Sequence, residues 1–540
     1  MWNDDAFGAL GLTPPASRTP IPGGPKTVAA IMDAAVRERP DAEALVGRYG
    51  RRRYGELEAD VRAAVAVMRS AGVGPGDRVA ASIGNHPELV AAFMASQRIG
   101  AIWLGLNVAL APAEKAHMLA DAGPKLLIAE SRVIADLPAV DGLTVIACDP
   151  AEGGGEFGGL LGRNRGAPDD REEIDPWAPA AIAYTSGTTG FPKGAVHSQH
   201  NMALVAARRR DAQGFAARHG IATPLTILNL MILGPVCASL RGSTVVLLER
   251  LYAPEIAEWV GREQIGSLNS APAVLYDMLT RPDIDRSLLA SLRAPGIGSA
   301  HVPEPLRKLY SDFFGGVTYS YGLTEAPTGV SSTVLGVPSP PGSVGRPYDH
   351  LAVEIQDETG RPVAPGVVGE VCIGPRRDGP WKDVYVPMLG YWRRPEETEA
   401  ALRGGWLHTG DLGAMDDDGE LFIRGRLKDL IIRGGANVYP AEVERVLFED
   451  PAVLHCAVTG RPDARLGETV AAFVQLRDQA ADPAEAGRRL EDRCRQALSK
   501  HKVPTTWIFV DDMPRNQMNK IVKQALKDRH FPSSLTQGAT

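Results

Sequence analysis

One loop of the chain concentrates groups that bind phosphate. The stretch YTSGTTGFPKG, residues 184–194, holds one serine, four threonine or tyrosine hydroxyls, three glycines and one lysine. Gly187, Gly190 and Gly194 let the backbone turn tightly and aim its N–H groups at one point. Thr185, Ser186, Thr188 and Thr189 add hydroxyl donors, and Lys193 adds a mobile point charge. A Walker loop needs Gly directly before its lysine and Ser or Thr directly after it. Here Pro192 and Gly194 take those places, so the loop is of another kind. The competing reading is a Gly/Thr-rich surface turn, a common feature.

Four further stretches carry chemistry. YGLTEA (321–326) sets an aromatic ring, a hydroxyl and a carboxylate close together. Tyr321 suits stacking on a base, Thr324 suits donation to phosphate, and Glu325 suits Mg2+, which prefers a carboxylate plus phosphate oxygens. GWLHTGDLG (405–413) presents Asp411, and a carboxylate there accepts from both hydroxyls of a ribose. GRLKDLIIRGGANVYPAEVE (425–444) combines basic residues with a Gly-Gly turn, and MPRNQMNKIVK (513–523) offers Lys520 after a Pro-led turn. Taken singly, Tyr321 reads equally as core, Asp411 as a turn residue and Lys520 as a solvated surface lysine. Their joint occurrence in this order changes the balance.

The elements around these stretches read as an α/β protein. DRVAASIG (77–84), AIWLGLN (101–107) and KLLIAE (125–130) are expected strands. They alternate with expected helices PELVAAFMASQRIG (87–100) and PAEKAHMLADAG (112–123), the pattern of a parallel sheet covered by helices. The run Ala181-Ile182-Ala183-Tyr184 reads as a buried strand end leading into the phosphate loop, where open α/β sheets place ligands. A helix is expected from Thr27 as its N-cap, and a second from about Glu56 to Ser70. Residues 1–26 read as a loose Pro/Gly/Ala-rich arm, and 149–176 as an exposed Gly/Asp-rich connection. Residues 27–427 form a large domain, whose last part, from about 343, reads as a small β subdomain. Residues 428–540 form a small α+β domain of ordinary size.

Composition fits a soluble globular protein. The chain has 540 residues, 44% hydrophobic and 23% charged, which implies two to four domains. A net charge of −7 with no basic stripe argues against nucleic-acid binding. The longest apolar stretch, 226–240, is shorter than the roughly 20 residues of a membrane span and is broken by Pro235, so no integral membrane contact is expected. Acids stand at the N-terminus where a signal peptide is basic, and five scattered cysteines read as reduced thiols in a cytoplasmic protein.

In the order and spacing of these motifs, the chain from about 27 to 527 resembles the adenylate-forming superfamily, which includes the AMP-dependent acyl-CoA synthetases. The resemblance implies a two-step reaction: a carboxylate attacks the α-phosphate of MgATP to give acyl-AMP and pyrophosphate, and coenzyme A then displaces AMP. Carried over by motif, Thr185, Ser186, Gly187, Thr188, Thr189, Gly190 and Lys193 would cradle the phosphates. Gly298, Ser299, Ala300, Tyr321 and Gly322 would face adenine, and Asp411 and Arg426 the ribose. Thr324 would hold the α-phosphate, Glu325 the Mg2+, and Lys520 would bridge carboxylate and α-phosphate. Lys428 would be the pivot of a mobile C-terminal domain, and Gly434 with Gly435 would line a tunnel for the pantetheine arm of coenzyme A.

The sequence departs from the family pattern at LNLMILGPVCASLRG (228–242), which lacks the usual aromatic and histidine, at Asn519, where glycine is usual, and at a lengthened 376–392. Met231, Ile232, Gly234, Ala326 and Gly329 are the candidate acyl-pocket residues. With no aspartate at the start of the 230s and no Lys or Arg between Leu225 and Leu240, they suggest an uncharged-tail acid larger than acetate: aromatic, alicyclic or medium-chain. The alternatives are an adenylation enzyme loading a carrier protein in trans and a non-enzymatic nucleotide-binding regulator. Candidate partners extend to a second copy of the chain, in a homodimer, and to a lysine acyltransferase acting on Lys520.

Overall fold

The computed structural model describes residues 2–185, 192–210, 217–249, 252–297, 304–316, 318–327, 329–434, 436–478, 482–515 and 521–531. The chain divides into two compact units, Met1–Val353 with Cys372–His408, and Glu354–Val371 with Thr409–Thr540.

The first unit holds two large sheets. One has seven strands, in the order Gly390–Tyr391, Lys193–Ser198, Pro179–Thr185, Ile102–Gly105, Arg78–Ser82, Leu126–Ala129 and Thr144–Ala147. Its inner strands run parallel, and Val79, Ala80 and Ala81 are fully buried, as strands covered on both faces must be. The helix Pro87–Arg98 starts on proline, whose fixed φ suits a first turn, and is buried along its whole length. The helix Pro112–Ala122 ends on Gly123 at φ +58, a left-handed stop that glycine adopts without strain. The second sheet has nine strands, mainly parallel in the middle, with Thr318–Gly322 next to Gly329–Ser332 near one edge.

In the second unit, strands Ile431–Arg433, Ala436–Val438, Val453–Asp463, Gly467–Leu476 and Thr506–Phe509 form one sheet. Helices Pro440–Phe448 and Pro483–Ala497 pack on it through Val443, Val446, Leu447, Leu490 and Cys494. A separate four-stranded sheet orders Leu351–Gln356, Gly369–Pro375, Leu407–Met415 and Leu421–Arg426. The α/β architecture expected from the sequence is therefore present, as is the α+β character of the C-terminal region. All five cysteines are buried free thiols.

Several local expectations need correction. The N-terminal arm is anchored: a short helix, Asp4–Gly8, is capped by the Asn3 side chain, and Phe7, Leu12 and Ile21 are buried. Thr27 makes no capping hydrogen bond, and only a 3-10 turn, Val28–Ala30, follows it, with the α-helix proper at Asp33–Glu38. The Val28 and Ala29 N–H groups donate instead to the Gln199 side chain, so a tertiary partner does the work of the cap. Within 149–176, Gly155–Arg163 is helical because Phe157 and Leu161, four apart, bury one face. The atypical segment 228–242 is helical, with one π-helical turn, Ile232–Val236, around Pro235. A proline lacks the N–H an α-helix requires there, and such turns recur at functional sites.

Candidate active site

The phosphate loop joins two antiparallel strands, Pro179–Thr185 and Lys193–Ser198, with Thr185 opposite Lys193. The Thr185 hydroxyl donates to the Lys193 carbonyl at 3.4 Å. Gly194 lies directly over Tyr184, where an added Cβ would come within 3.3 Å of the ring and 2.5 Å of Ile182, so no larger residue fits. Ser186, Gly187, Thr188, Thr189 and Gly190 lie outside the described residues, as do Gly298, Ser299, Ala300, Gly435 and Lys520.

A residue not singled out in the sequence links the loop to the YGLTEA stretch. The Tyr391 hydroxyl donates to Glu325 Oε1 at 2.9 Å, and Lys193 Nζ lies 5.3 Å from the centroid of the same ring. Tyr391 is held by the strand Gly390–Tyr391, which pairs with Lys193–Ser198, and by the Thr398 hydroxyl, which accepts from its N–H. The Met388 N–H donates to the Glu325 carbonyl at 2.9 Å, which fixes the carboxylate from its backbone side. No Lys, Arg or His lies within ion-pair distance of Glu325 among the described residues. A carboxylate oriented by one neutral hydroxyl and neutralised by no protein cation suits a divalent metal. The only sequence signal for Tyr391 was its place in GYW, 66 residues from Glu325, where nothing local declares the contact.

Thr324 has a buried polar neighbourhood. His197 and Asn201 are buried, with Asn201 Nδ2 at 3.2 Å from His197 Nδ1. Burial pushes the His197 pKa down to about 4, against a smaller opposing pull from the Thr324 backbone, so the ring is neutral at physiological pH. His200, stacked on Trp177 at 4.0 Å, is likewise held near 4 by burial. The run HSQHN, 197–201, was the available clue, since two histidines and an asparagine directly after an apolar strand need a polar environment.

Tyr321 and Gly322 end the strand Thr318–Gly322, with Tyr321 partly buried against the core and Gly322 exposed. In the second unit Asp411 is 5% exposed and pairs with Arg426, Nε to Oδ1 at 2.7 Å, from the facing position of the neighbouring strand. The Thr409 hydroxyl accepts from the Asp411 N–H and the Thr409 carbonyl from Arg426, so all three are fixed together. Lys428 is exposed on a 3-10 turn, Leu427–Asp429, directly after Arg426. Gly434 has φ +58 and donates to the Leu466 carbonyl at 2.7 Å, a left-handed turn that favours glycine. Of the candidate pocket residues, Met231 and Ile232 are fully buried in the core and Ala326 nearly so. Gly234 packs against Ile221, and Gly329 lies under the Tyr348 ring, 2.8 Å from where a Cβ would stand. No helix among the described residues is long and apolar enough to cross a membrane.

Comparison with known proteins shows the family. Residues 32–392 match the profile of AMP-binding enzymes, and 442–520 that of the AMP-binding enzyme C-terminal domain. The chain is 33% identical over 484 residues to indoleacetate–CoA ligase of Aromatoleum aromaticum, covering 88% of this chain and 92% of that one. It is 32% identical to the fatty acid–acyl-carrier-protein ligase ScoC of Streptomyces coeruleorubidus, covering 89% and 92%. The fold superposes on ATP-bound MatB from Rhodopseudomonas palustris with a TM-score of 0.82 at 30% identity, covering 93% of this chain and 98% of that one. The loop, the YGLTEA stretch and the Tyr391 bridge all fall inside the first matched region, and the match spans most of the chain, so this protein belongs to the AMP-binding enzyme family.

Proposed function

We propose that the protein is an ATP-dependent acyl-CoA ligase. It activates a carboxylic acid, of aromatic, alicyclic or medium-chain type, as acyl-AMP with release of pyrophosphate. It then passes the acyl group to coenzyme A with release of AMP. The observation that carries the reading is the arrangement Lys193–Tyr391–Glu325, which brings a cation and a metal-type carboxylate to one aromatic ring beside the phosphate loop. The likeness to indoleacetate–CoA ligase supports an acid substrate and a coenzyme A acceptor.

In this reading Lys193, Thr185 and the loop hydroxyls hold the pyrophosphate end of ATP, where their charge and dipoles stabilise the leaving group. Glu325 would hold Mg2+, which would supply neutralisation of phosphate charge. Thr324 donates to the α-phosphate, Tyr321 stacks on adenine, and Asp411 with Arg426 takes the ribose hydroxyls. The carboxylate forms a bond to the α-phosphorus as the bond to pyrophosphate breaks. The thiolate of coenzyme A then attacks the acyl carbon, and AMP leaves. Acylation of Lys520 by a lysine acyltransferase would stop the first step, because it removes the charge.

A panel of acids scored by pyrophosphate release, with and without coenzyme A, tests this function. Benzoate- and cyclohexyl-type acids and octanoate are expected to exceed acetate, malonate and phenylalanine in kcat/KM. Pyrophosphate release with no acid would overturn the ligase reading. The likeness to ScoC supports a second reading, in which the acceptor is a carrier protein. Thioester formation on a phosphopantetheinyl carrier and none on coenzyme A would establish it.

Tyr391→Phe separates positioning from packing. It keeps the ring beside Lys193 and removes one hydrogen bond to a charged group, a loss of about 1.5–3 kcal/mol. The Mg2+ concentration for half-maximal adenylation is expected to rise about tenfold or more, with the KM for the acid nearly unchanged. An unchanged Mg2+ requirement would make Tyr391 a packing residue only.

A further inference from the structure

One peptide bond ties the helix that follows the phosphate-loop strand to the YGLTEA stretch. The Pro387–Met388 peptide accepts from Asn201 Nδ2 through its carbonyl at 3.1 Å and donates to the Glu325 carbonyl through its N–H at 2.9 Å. Asn201 stands in the first turn of the helix Gln199–Arg209, where its own N–H donates to the Ser198 hydroxyl at 3.1 Å. The neighbouring His200 holds the same segment three residues earlier, with Nε2 at 2.8 Å from the Val384 carbonyl. The Leu389 N–H continues the tie, donating to the Val196 carbonyl at 2.7 Å.

His197, on the strand that carries Lys193, extends this network to Thr324. A carbonyl only accepts, so the Asn201 amide presents its NH2 to Pro387, and the same NH2 donates to His197 Nδ1 at 3.2 Å. The ring is neutral, its pKa pushed down to about 4 by burial, so its single proton sits on Nε2. The Thr324 backbone opposes that downward shift, which marks it as the acceptor facing the ring. The contact is loose: neither His197 Nε2 nor Asn201 Oδ1, both buried, makes a hydrogen bond of full geometry. A buried network that served stability alone would satisfy these atoms, because an unsatisfied one costs more than a made bond returns. The backbones of two successive residues, Thr324 and Glu325, are thus addressed by one pair of side chains.

We infer that His197 and Asn201 are positioning residues for adenylation: they hold the backbone at Thr324 and Glu325, and so aim the Thr324 hydroxyl and the Glu325 carboxylate at the phosphates of ATP. The inference rests on the acyl-CoA ligase reading and deepens it. Neither side chain touches substrate; His197 acts through the Thr324 backbone, and Asn201 through the Pro387–Met388 peptide. Tyr391 holds the Glu325 carboxylate at its other end, so its direction is set from both sides.

The test is ATP–pyrophosphate exchange with an acid that the unaltered protein activates, followed beside thermal unfolding in His197→Leu, His197→Gln and Asn201→Ser. His197→Leu keeps the bulk and removes both polar atoms. Its exchange kcat is expected to fall about tenfold or more, since a misplacement of about 1 Å costs on the order of 10²-fold. The KM for the acid should stay nearly unchanged, and Tm should hold or rise, because an apolar group replaces a poorly satisfied polar one. His197→Gln restores a donor at the far end of the side chain and should recover most of the rate. Asn201→Ser frees the Pro387 carbonyl and should raise the Mg2+ concentration for half-maximal exchange several-fold, which keeps the question answerable if His197→Leu fails to fold. Exchange by His197→Leu at the unaltered rate, a loss that His197→Gln does not recover, or an unchanged Mg2+ requirement in Asn201→Ser would overturn the inference and leave the ligase reading intact. Exchange by the unaltered protein that needs no acid would overturn the ligase reading, and the inference with it.

Discussion

Lys520→Ala is expected to lose acyl-adenylate formation by about 10²–10³ or more, the scale of removing one preorganised charge from a developing transition state. The same protein should still convert supplied acyl-AMP and coenzyme A to thioester. The asymmetry follows from the two steps. In the first, negative charge builds between the attacking carboxylate and the α-phosphate, and a cation bridging both is worth most there. In the second, the phosphate is already the leaving group and the new bond forms at carbon. In the proposed function Lys193 and Glu325, joined through Tyr391, would act on the phosphates, so they would not replace a cation on the acid. Pyrophosphate exchange measures the first step, and thioester formation from synthetic acyl-AMP measures the second. Equal loss in both would show that Lys520 supports the fold or both reactions, and the assignment would fall.

The regular elements were legible because their signals are local. The helix Pro87–Arg98 announces itself by a proline at its first position and an apolar run bounded by Gly100. The parallel strands are short apolar runs between turns. The N-terminal arm was misread for the opposite reason: its Pro/Gly/Ala composition hides one aromatic anchor, and Phe7 at 0% exposure outweighs the average. The Asn3 cap was readable, but a five-residue helix has no periodicity to support it. Thr27 looked like a cap because its type is right, yet the N–H groups it would serve are taken by Gln199, more than 170 residues later. The site divides in the same way. Glu325, Asp411 and the loop could be chosen from their own motifs. Tyr391 and His197 could not, because what marks them is contact with Glu325 and the Thr324 backbone, and no short window of sequence carries those contacts.

Lys428→Pro should separate the two half-reactions in the opposite sense. Lys428 sits in the 3-10 turn Leu427–Asp429, after Arg426 at φ −95 and ψ 139. Proline fixes φ near −65°, which a helical turn accepts, so the substitution suits the turn as it stands and resists leaving it. The preceding residue, Leu427, is pushed away from helical angles by the proline ring, a local strain that should cost stability modestly. If Lys428 is the pivot on which the C-terminal domain rearranges between steps, a locked pivot leaves adenylation running and stops transfer to coenzyme A. Acyl-AMP should then accumulate on the protein after one turnover, and pyrophosphate should appear as a burst without matching AMP. Lys428→Ala, which removes the charge and keeps the backbone free, should leave both steps close to their starting rates. This control separates rotation from electrostatics, since Lys428 is exposed and lies two residues after Arg426. Thioester formation by Lys428→Pro at the unaltered rate would place the pivot elsewhere in the chain, and loss of thioester formation in Lys428→Ala as well would assign the effect to the ammonium group.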